Sequence, residues 1–526
     1  MNLRDLPALY NASEILTRNA ETRGHQVALV SDAGSFTFAE LNRKANQVAN
    51  ALQAFELRPA EPVGLLLLDT PEWPMSFFGI LKAGAVAVSL NTLLMPDDYR
   101  AMLEDCRPRI LIVDGALCDR LLGVIEELPF IVRVIVVGDV ARSAWPPRSL
   151  SFNDWLSSAS DQFETHPTHR EDPCCLNYSS GTTGAPKGIV HSHKDLLLSA
   201  QLVGVDALGL TATDRTFAAA KLFFTFATGG NLIFPWHVGA SVTLSPGSAR
   251  VAENILRTIE RHRPTVFFSS PTGYAILLAH MAQAARYDIS SLRRCISAGE
   301  ALPESIWQRW KQVTGLELID GIGSTENYHM FICNRPGDIR PGSSGRPIAG
   351  YQVRIVDDCG QDVKPGSIGT LLVKGETASL CYYRQYQRSR ETFVGEWLNT
   401  GDKYFVDADG YYWHAGRSDD MLKVGGIWVS PHEVENVLLS HPDVLECAVV
   451  GHTDASGLVK PKAYVVARED SSNPQQLAAQ LIEHVVERLA AYKRPRWVCI
   501  VDDLPKTATG KVQRFVLRRD GAEAHG

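Results

Sequence analysis

Apolar positions in the first part of the chain follow two spacings in turn. Leu41, Ala45, Val48, Ala49 and Leu52 fall at helical spacing, directly behind Thr37-Phe38-Ala39-Glu40, a capping box that predicts a helix start. Residues 62–68 form a continuous apolar run and predict a strand buried on both faces. Residues 73–82 read as a helix, and 85–90, 110–113 and 132–137 as strands. The pattern breaks over 141–172, where Trp145-Pro146-Pro147, Ser157-Ser158-Ala159-Ser160 and His166-Pro167 predict an irregular connector. It then resumes. Strands are expected at 174–178, 189–191, 240–244, 265–268, 292–297 and 316–320, with helices at 194–203, 251–262 and 303–313. Such alternation predicts an α/β fold of parallel sheets covered by helices.

From Tyr351 the period changes to two, which predicts antiparallel β structure. A smaller α+β unit follows from Asp419, with helices at 431–440 and 475–489 and strands at 444–450 and 463–466. The expected organisation is a large N-terminal domain over 1–418, its antiparallel β portion at about 340–418, and a small C-terminal α+β domain over 419–526, joined by a hinge.

Composition narrows the function. The chain has 526 residues, a soft prior of about three or four domain-sized units. A 45% hydrophobic content supports large cores but is too low for a membrane protein. A net charge of −7 argues against non-specific nucleic-acid binding. No apolar run reaches the roughly 20 residues of a spanning helix, and the start lacks the pattern of a signal peptide. The ten cysteines form no CxxC pair, and Cys174-Cys175 cannot easily share a bridge or a zinc. Reduced, mostly buried thiols in a cytoplasmic protein are expected.

Candidate chemistry gathers on a few short stretches. Tyr178-Ser179-Ser180-Gly181-Thr182-Thr183-Gly184-Ala185-Pro186-Lys187-Gly188 places glycines and hydroxyls in a loop between two strands and ends it on a lysine. Glycine lets backbone N–H groups converge on one point, so the loop suits an anion with several oxygens, such as a triphosphate. It is not a Walker A loop, which needs Gly-Lys followed at once by Ser or Thr. Gly323-Ser324-Thr325-Glu326 ends a strand, where open α/β sheets bind ligands. Glu326 suits Mg²⁺, which takes one or two carboxylates plus phosphate oxygens. The plainer reading makes Ser324 or Thr325 a helix cap, and both readings can hold. Asn399-Thr400-Gly401-Asp402 supplies a second carboxylate after a turn, ordinarily a solvated turn former. Lys511, close to the C-terminus, reads on its own as a solvated charge.

Taken together and in this order, these stretches resemble the motifs of the acyl-adenylate-forming enzymes, which include acyl- and aryl-CoA ligases, peptide-synthetase adenylation domains and luciferases. The resemblance runs from about residue 20 to Arg518. It implies ATP, Mg²⁺ and coenzyme A as cofactors. It assigns phosphate contacts to Ser179, Ser180, Gly181, Thr182, Thr183, Gly184 and Lys187, and nucleotide contacts to Gly299, Glu300, Ala301, Asp320, Gly321, Ile322, Gly323 and Ser324. Thr325 takes the α-phosphate and Glu326 the metal. Ile322 stands where the family often has an aromatic residue stacked on adenine. Asp402 and Arg417 fall to the ribose. Gly416-Arg417-Ser418-Asp419-Asp420-Met421-Leu422-Lys423-Val424-Gly425-Gly426 matches the hinge motif, with Asp419 as hinge and the loop at Gly425 and Gly426 lining the pantetheine tunnel. Lys511, in Thr509-Gly510-Lys511, bridges carboxylate and α-phosphate during adenylation; a mobile cation offsets the repulsion of two anions brought together.

Lys221-Leu222-Phe223-Phe224-Thr225-Phe226, Asp320-Gly321-Ile322-Gly323 and Gly426-Ile427-Trp428-Val429-Ser430-Pro431 resemble the benzoate-CoA ligase branch. That places Thr225, Phe226, Asn327, His329 and Met330 at the aromatic acid, while Phe223, Phe224 and Phe331 read as ordinary core. The branch has Ala-Tyr where this chain has Thr225-Phe226. The added hydroxyl points to an amino- or hydroxybenzoate, with 2-aminobenzoate first and benzoate itself the alternative. Transfer to a carrier-protein phosphopantetheine is the nearest rival, and a non-catalytic nucleotide-binding module is a rival from another class. The partners expected are the acid, ATP and CoA, with no nucleic acid and no membrane, in a monomer or homodimer.

Overall fold

The computed structural model describes residues 6–180, 186–248, 251–283, 287–417, 420–424, 427–454, 458–468, 474–506 and 512–523. Gly181, Thr182, Thr183, Gly184, Asp419, Gly425, Gly426 and Lys511 lie outside the described residues.

Two large sheets carry the N-terminal part. In the eight-stranded one, Val86–Ser89, Pro62–Leu66, Ile110–Asp114, Arg133–Val137 and Ser149–Ser151 run parallel, and Pro173–Ser180 lies parallel to Val86–Ser89. Pro186–Ser192 folds back antiparallel on Pro173–Ser180, and Cys381–Tyr382 closes that edge. The nine-stranded sheet has a parallel centre running from Leu318–Gly323 through Arg294–Ser297, Val266–Ser269, Arg215–Ala218 and Ser241–Thr243 to Val27–Ser31. Its edges are antiparallel, with Met330–Cys333 returning beside Leu318–Gly323.

One core joins the sheets. The helix Phe38–Gln53 starts at the predicted capping box, where Thr37 and Glu40 bond each other's backbone N–H. Its buried face meets the helix Glu72–Lys82, which is buried at every position from Trp73 on. Trp236 stacks on Phe78 at 5.3 Å and meets Phe38 edge-on at 5.9 Å. Burying each such side chain contributes about 1.5–3 kcal/mol.

The period-two stretch forms a five-stranded antiparallel sheet that includes Gln352–Val356, Gly369–Lys374, Trp397–Val406 and Tyr412–Arg417. Beyond it, Val444–Thr453, Val459–Ala467 and Trp497–Ile500 make a three-stranded sheet with the helices Pro431–Leu439 and Pro474–Val486. Arg514 ties the last helix to this unit through both oxygens of buried Glu435, at 2.8 and 2.9 Å.

Two expectations are corrected. Residues 141–172 are not irregular throughout: Ser149–Ser151 adds an edge strand and Phe152–Leu156 a short helix that buries Phe152, Trp155 and Leu156. Both are too short for periodicity to reveal. Asn399 to Asp402 makes no turn of its own. It lies inside the strand Trp397–Val406 at a bulge, where the register shifts opposite Thr370 and Leu372 and Gly401 takes φ +73°. Among the described residues no helix is long and apolar enough to cross a membrane, and six of the ten unpaired cysteines are buried.

Candidate functional site

The strand Leu318–Gly323 turns back into Met330–Cys333 through a single 3₁₀ turn, Thr325–Asn327. Glycine is required on the first strand. A Cβ on Gly323 would sit 2.5 Å from the His329 carbonyl oxygen. Ser324 precedes the turn without capping it, and its hydroxyl is buried with no partner among the described residues. Tyr328 leaves the turn at φ +66°, a conformation L residues avoid.

Such a turn persists only when its surroundings over-determine it. All three of its carbonyls are held. His191 Nε2 reaches the Thr325 carbonyl at 2.6 Å, the Ser379 N–H donates to that of Glu326 at 2.7 Å, and the Thr377 hydroxyl to that of Asn327 at 3.1 Å.

The Glu326 side chain is clamped as well. Lys187 Nζ lies 2.5 Å from Glu326 Oε1, the Tyr382 hydroxyl donates to the same oxygen at 2.8 Å, and Lys187 donates to Tyr382 at 3.0 Å. Burial pushes the Glu326 carboxyl up, but the Lys187 charge and the bonds from Lys187 and Tyr382 outweigh it and hold its pKa below the ordinary value. The lysine of the glycine-rich loop and the glutamate of the second motif are thus one ion pair, brought together over 139 positions.

Behind the turn lies an aromatic box. His329 is buried, stacks on Phe226 at 5.2 Å, and meets Phe234 at 4.7 Å and Phe268 at 6.5 Å. Its Nε2 lies 3.1 Å from the Phe226 carbonyl, which can only accept, so Nε2 carries the proton. Burial drives the ring's pKa down to about 3, so it is neutral and Nδ1 is a bare lone pair. That Nδ1 is buried with no partner among the described residues, and so are both amide atoms of Asn327. Thr225, which opens the turn Thr225–Thr228, and Met330 are buried too. Phe223 and Phe331 are core as expected, whereas Phe224 is only half-buried, its ring 4.3 Å from that of Phe223 just before the Thr225 turn.

Asp402 and Arg417 face each other on neighbouring strands, 3.1 Å apart. Asp320 is buried midway along the strand Leu318–Gly323, and burial pushes its carboxyl well above the carboxylate range. Glu300 is bound to the Thr272 hydroxyl at 2.7 Å, at the start of the helix Pro271–Gln283. Ser179 and Ser180 end the strand that leads into the glycine-rich loop.

Tyr382, His191 and Asp195 were not singled out from sequence. Ser192 and Asp195 form a capping box, a local signal that fixes Asp195 beside His191. Nothing local marks Tyr382, which meets Glu326 across 56 positions.

The AMP-binding enzyme family matches residues 16–383, and its C-terminal domain matches residues 433–511. The chain is 42% identical over 520 residues to the benzoate–CoA ligase of Thauera aromatica, covering 98% of this chain and 96% of that one. It is 34% identical to the anthranilate–CoA ligase of Pseudomonas aeruginosa, covering 88% and 87%. Among solved structures it is similar to the anthranilate CoA ligase AuaEII in complex with anthranoyl-AMP, with TM-score 0.96, 55% identity, and coverage of 100% and 99%.

Proposed function

This chain belongs to the AMP-binding enzyme family, and from that premise we propose 2-aminobenzoate as the acid it activates. It is an aryl-CoA ligase that works through an acyl-adenylate, with ATP and CoA as substrates. The acid's carboxylate attacks the α-phosphorus, the bond to the β-phosphate oxygen breaks, and pyrophosphate leaves with its charge. The CoA thiol then gives up its proton to solvent, its sulfur bonds to the carbonyl carbon, and the bond from that carbon to the phosphate oxygen breaks as AMP leaves.

The observation that carries the choice of acid is the lone pair on His329 Nδ1. An unsatisfied buried acceptor costs about 1–3 kcal/mol, which the N–H of an amino group on the acid's ring would recover. The unpartnered amide of Asn327 adds to this, as does the likeness to a protein described with anthranoyl-AMP. Benzoate has no donor to offer, and aliphatic acids gain little from an aromatic box.

In this reading Thr325 donates to the α-phosphate, Lys187 shifts from Glu326 toward phosphate oxygens, and Asp402 with Arg417 takes the ribose. Among the described residues no cluster of three His, Cys, Asp or Glu side chains could hold a metal by itself. One carboxylate with a lowered pKa fits Mg²⁺, which completes its shell with phosphate oxygens and water. Glu326 would hold it, and its charge would offset that of the phosphates. Lys511 supplies the mobile cation, Asp419 the hinge, and the Gly425 loop the path for the thiol.

kcat/KM for benzoate and its 2-, 3- and 4-amino and hydroxy derivatives tests the choice. 2-Aminobenzoate is expected to exceed benzoate, and His329→Phe to lower that ratio by about tenfold, the worth of one hydrogen bond. A clear preference for unsubstituted benzoate would overturn it.

A further inference from the structure

His191 lies on the strand Pro186–Ser192, four positions after Lys187. Side chains two apart on a strand share a face, so Lys187, Ile189 and His191 point the same way. Lys187 grips the Glu326 side chain, and His191 grips the Thr325 carbonyl from the same face. The strand that follows the glycine-rich loop therefore holds the Thr325–Asn327 turn at two points.

His191 is fully buried, and so is its partner. Nδ1 lies 2.9 Å from Asp195 Oδ2, and Asp195 also accepts from the Ser192 N–H at 3.0 Å and the Ser192 hydroxyl at 2.8 Å. Both ring nitrogens thus face acceptors, a carboxylate on one side and a carbonyl on the other. The Tyr328 ring packs edge-on at 5.2 Å and limits ring rotation. Burial works against a charge on the ring, but the bond and charge of Asp195 and the Thr325 carbonyl outweigh it and raise its pKa.

We propose that His191 is a positioning residue for adenylation: anchored by Asp195, it holds the Thr325 carbonyl and so sets the Thr325 and Glu326 side chains toward the nucleotide. The proposal rests on the reading of that turn as the nucleotide-facing one. The Thr325 carbonyl also accepts from the Tyr328 N–H at 3.0 Å. Losing the Nε2 bond therefore leaves it paired and costs the fold little, but frees the turn. Losing the Nδ1 bond leaves the buried Asp195 carboxylate on its two Ser192 donors, without the ring that faces it.

Two substitutions separate these effects. An asparagine amide nitrogen falls near the place of Nδ1, a glutamine's near that of Nε2. His191→Asn keeps the bond to Asp195 and drops the turn; His191→Gln keeps the turn and drops Asp195. Melting temperature and ATP–pyrophosphate exchange are measured on both, with Glu326→Gln as reference. The expected orders are opposite. The asparagine variant is the more stable, but its exchange kcat falls on the order of 10²-fold, with KM for ATP changed far less. The glutamine variant melts lower and retains clearly more exchange activity. If the two orders coincide, or both variants exchange equally well, His191 only supports the fold and the proposal is wrong. Full exchange activity in Glu326→Gln would instead overturn the reading of the turn itself, and this inference with it.

Discussion

Glu326 is a carboxylate held in the interior by one lysine and one tyrosine, and its protonation is linked to stability. Its folded pKa lies below the ordinary value near 4.3. The contribution is therefore present above about pH 4.3 and is lost as pH falls through the lowered folded value. Glu326→Gln should make the fall in stability below about pH 4.3 shallower, as read by urea unfolding across pH. It also strands Lys187, whose side chain is only 17% exposed. Breaking one side of a buried pair costs about 3–5 kcal/mol, and adding Lys187→Met should restore part of it. In exchange assays Glu326→Gln should fall about 10²–10³-fold. Fully additive losses in the double variant would mean the pair is not coupled.

At the scale of elements, the close return of Met330–Cys333 against Leu318–Gly323 decides where the turn sits. A methyl on Gly323 meets backbone atoms, the His329 carbonyl carbon at 2.7 Å and the Met330 Cα at 2.8 Å, which cannot swing aside as a side chain would. Gly323→Ala should cost about 1–3 kcal/mol, the range for overpacking. It should also depress adenylation out of proportion to that loss, because the displaced strand carries the turn with it. Thr37→Ala, which removes a cap far along the chain, serves as control: about 1 kcal/mol in stability with unchanged kcat. If the two variants kept activity equally, the strand return would not govern the site.

For the whole molecule, one site must serve two half-reactions, and on the proposed reading Asp419 is the hinge by which the C-terminal unit presents first Lys511 and then the Gly425 loop. Lys511→Ala should slow adenylation by about 10²–10³ and leave thioester formation from supplied aroyl-adenylate much less affected. Equal losses in both half-reactions would remove Lys511 from its role. The order of the motifs along the chain made the family legible before any fold was known. Each motif reads out of a few adjacent residues.

By itself the sequence determined the α/β alternation, the change to antiparallel β after Tyr351 and the separate C-terminal α+β unit, because periodicity and capping are local properties of ten or so residues. Thr37-Phe38-Ala39-Glu40 and the apolar run from Pro62 behave as their patterns require. Missed were the edge strand Ser149–Ser151, three residues long, and the bulge that puts Asp402 inside a strand, which depends on the register of its neighbour. Only the tertiary structure decided that Lys187 and Glu326 neutralise each other, that Tyr382 joins them, and that His191 holds the Thr325 carbonyl. These contacts join two strands to a turn far from either in sequence. The chain gives the identity of each side chain, while the distance that turns a residue into a partner arises only when the sheets are assembled.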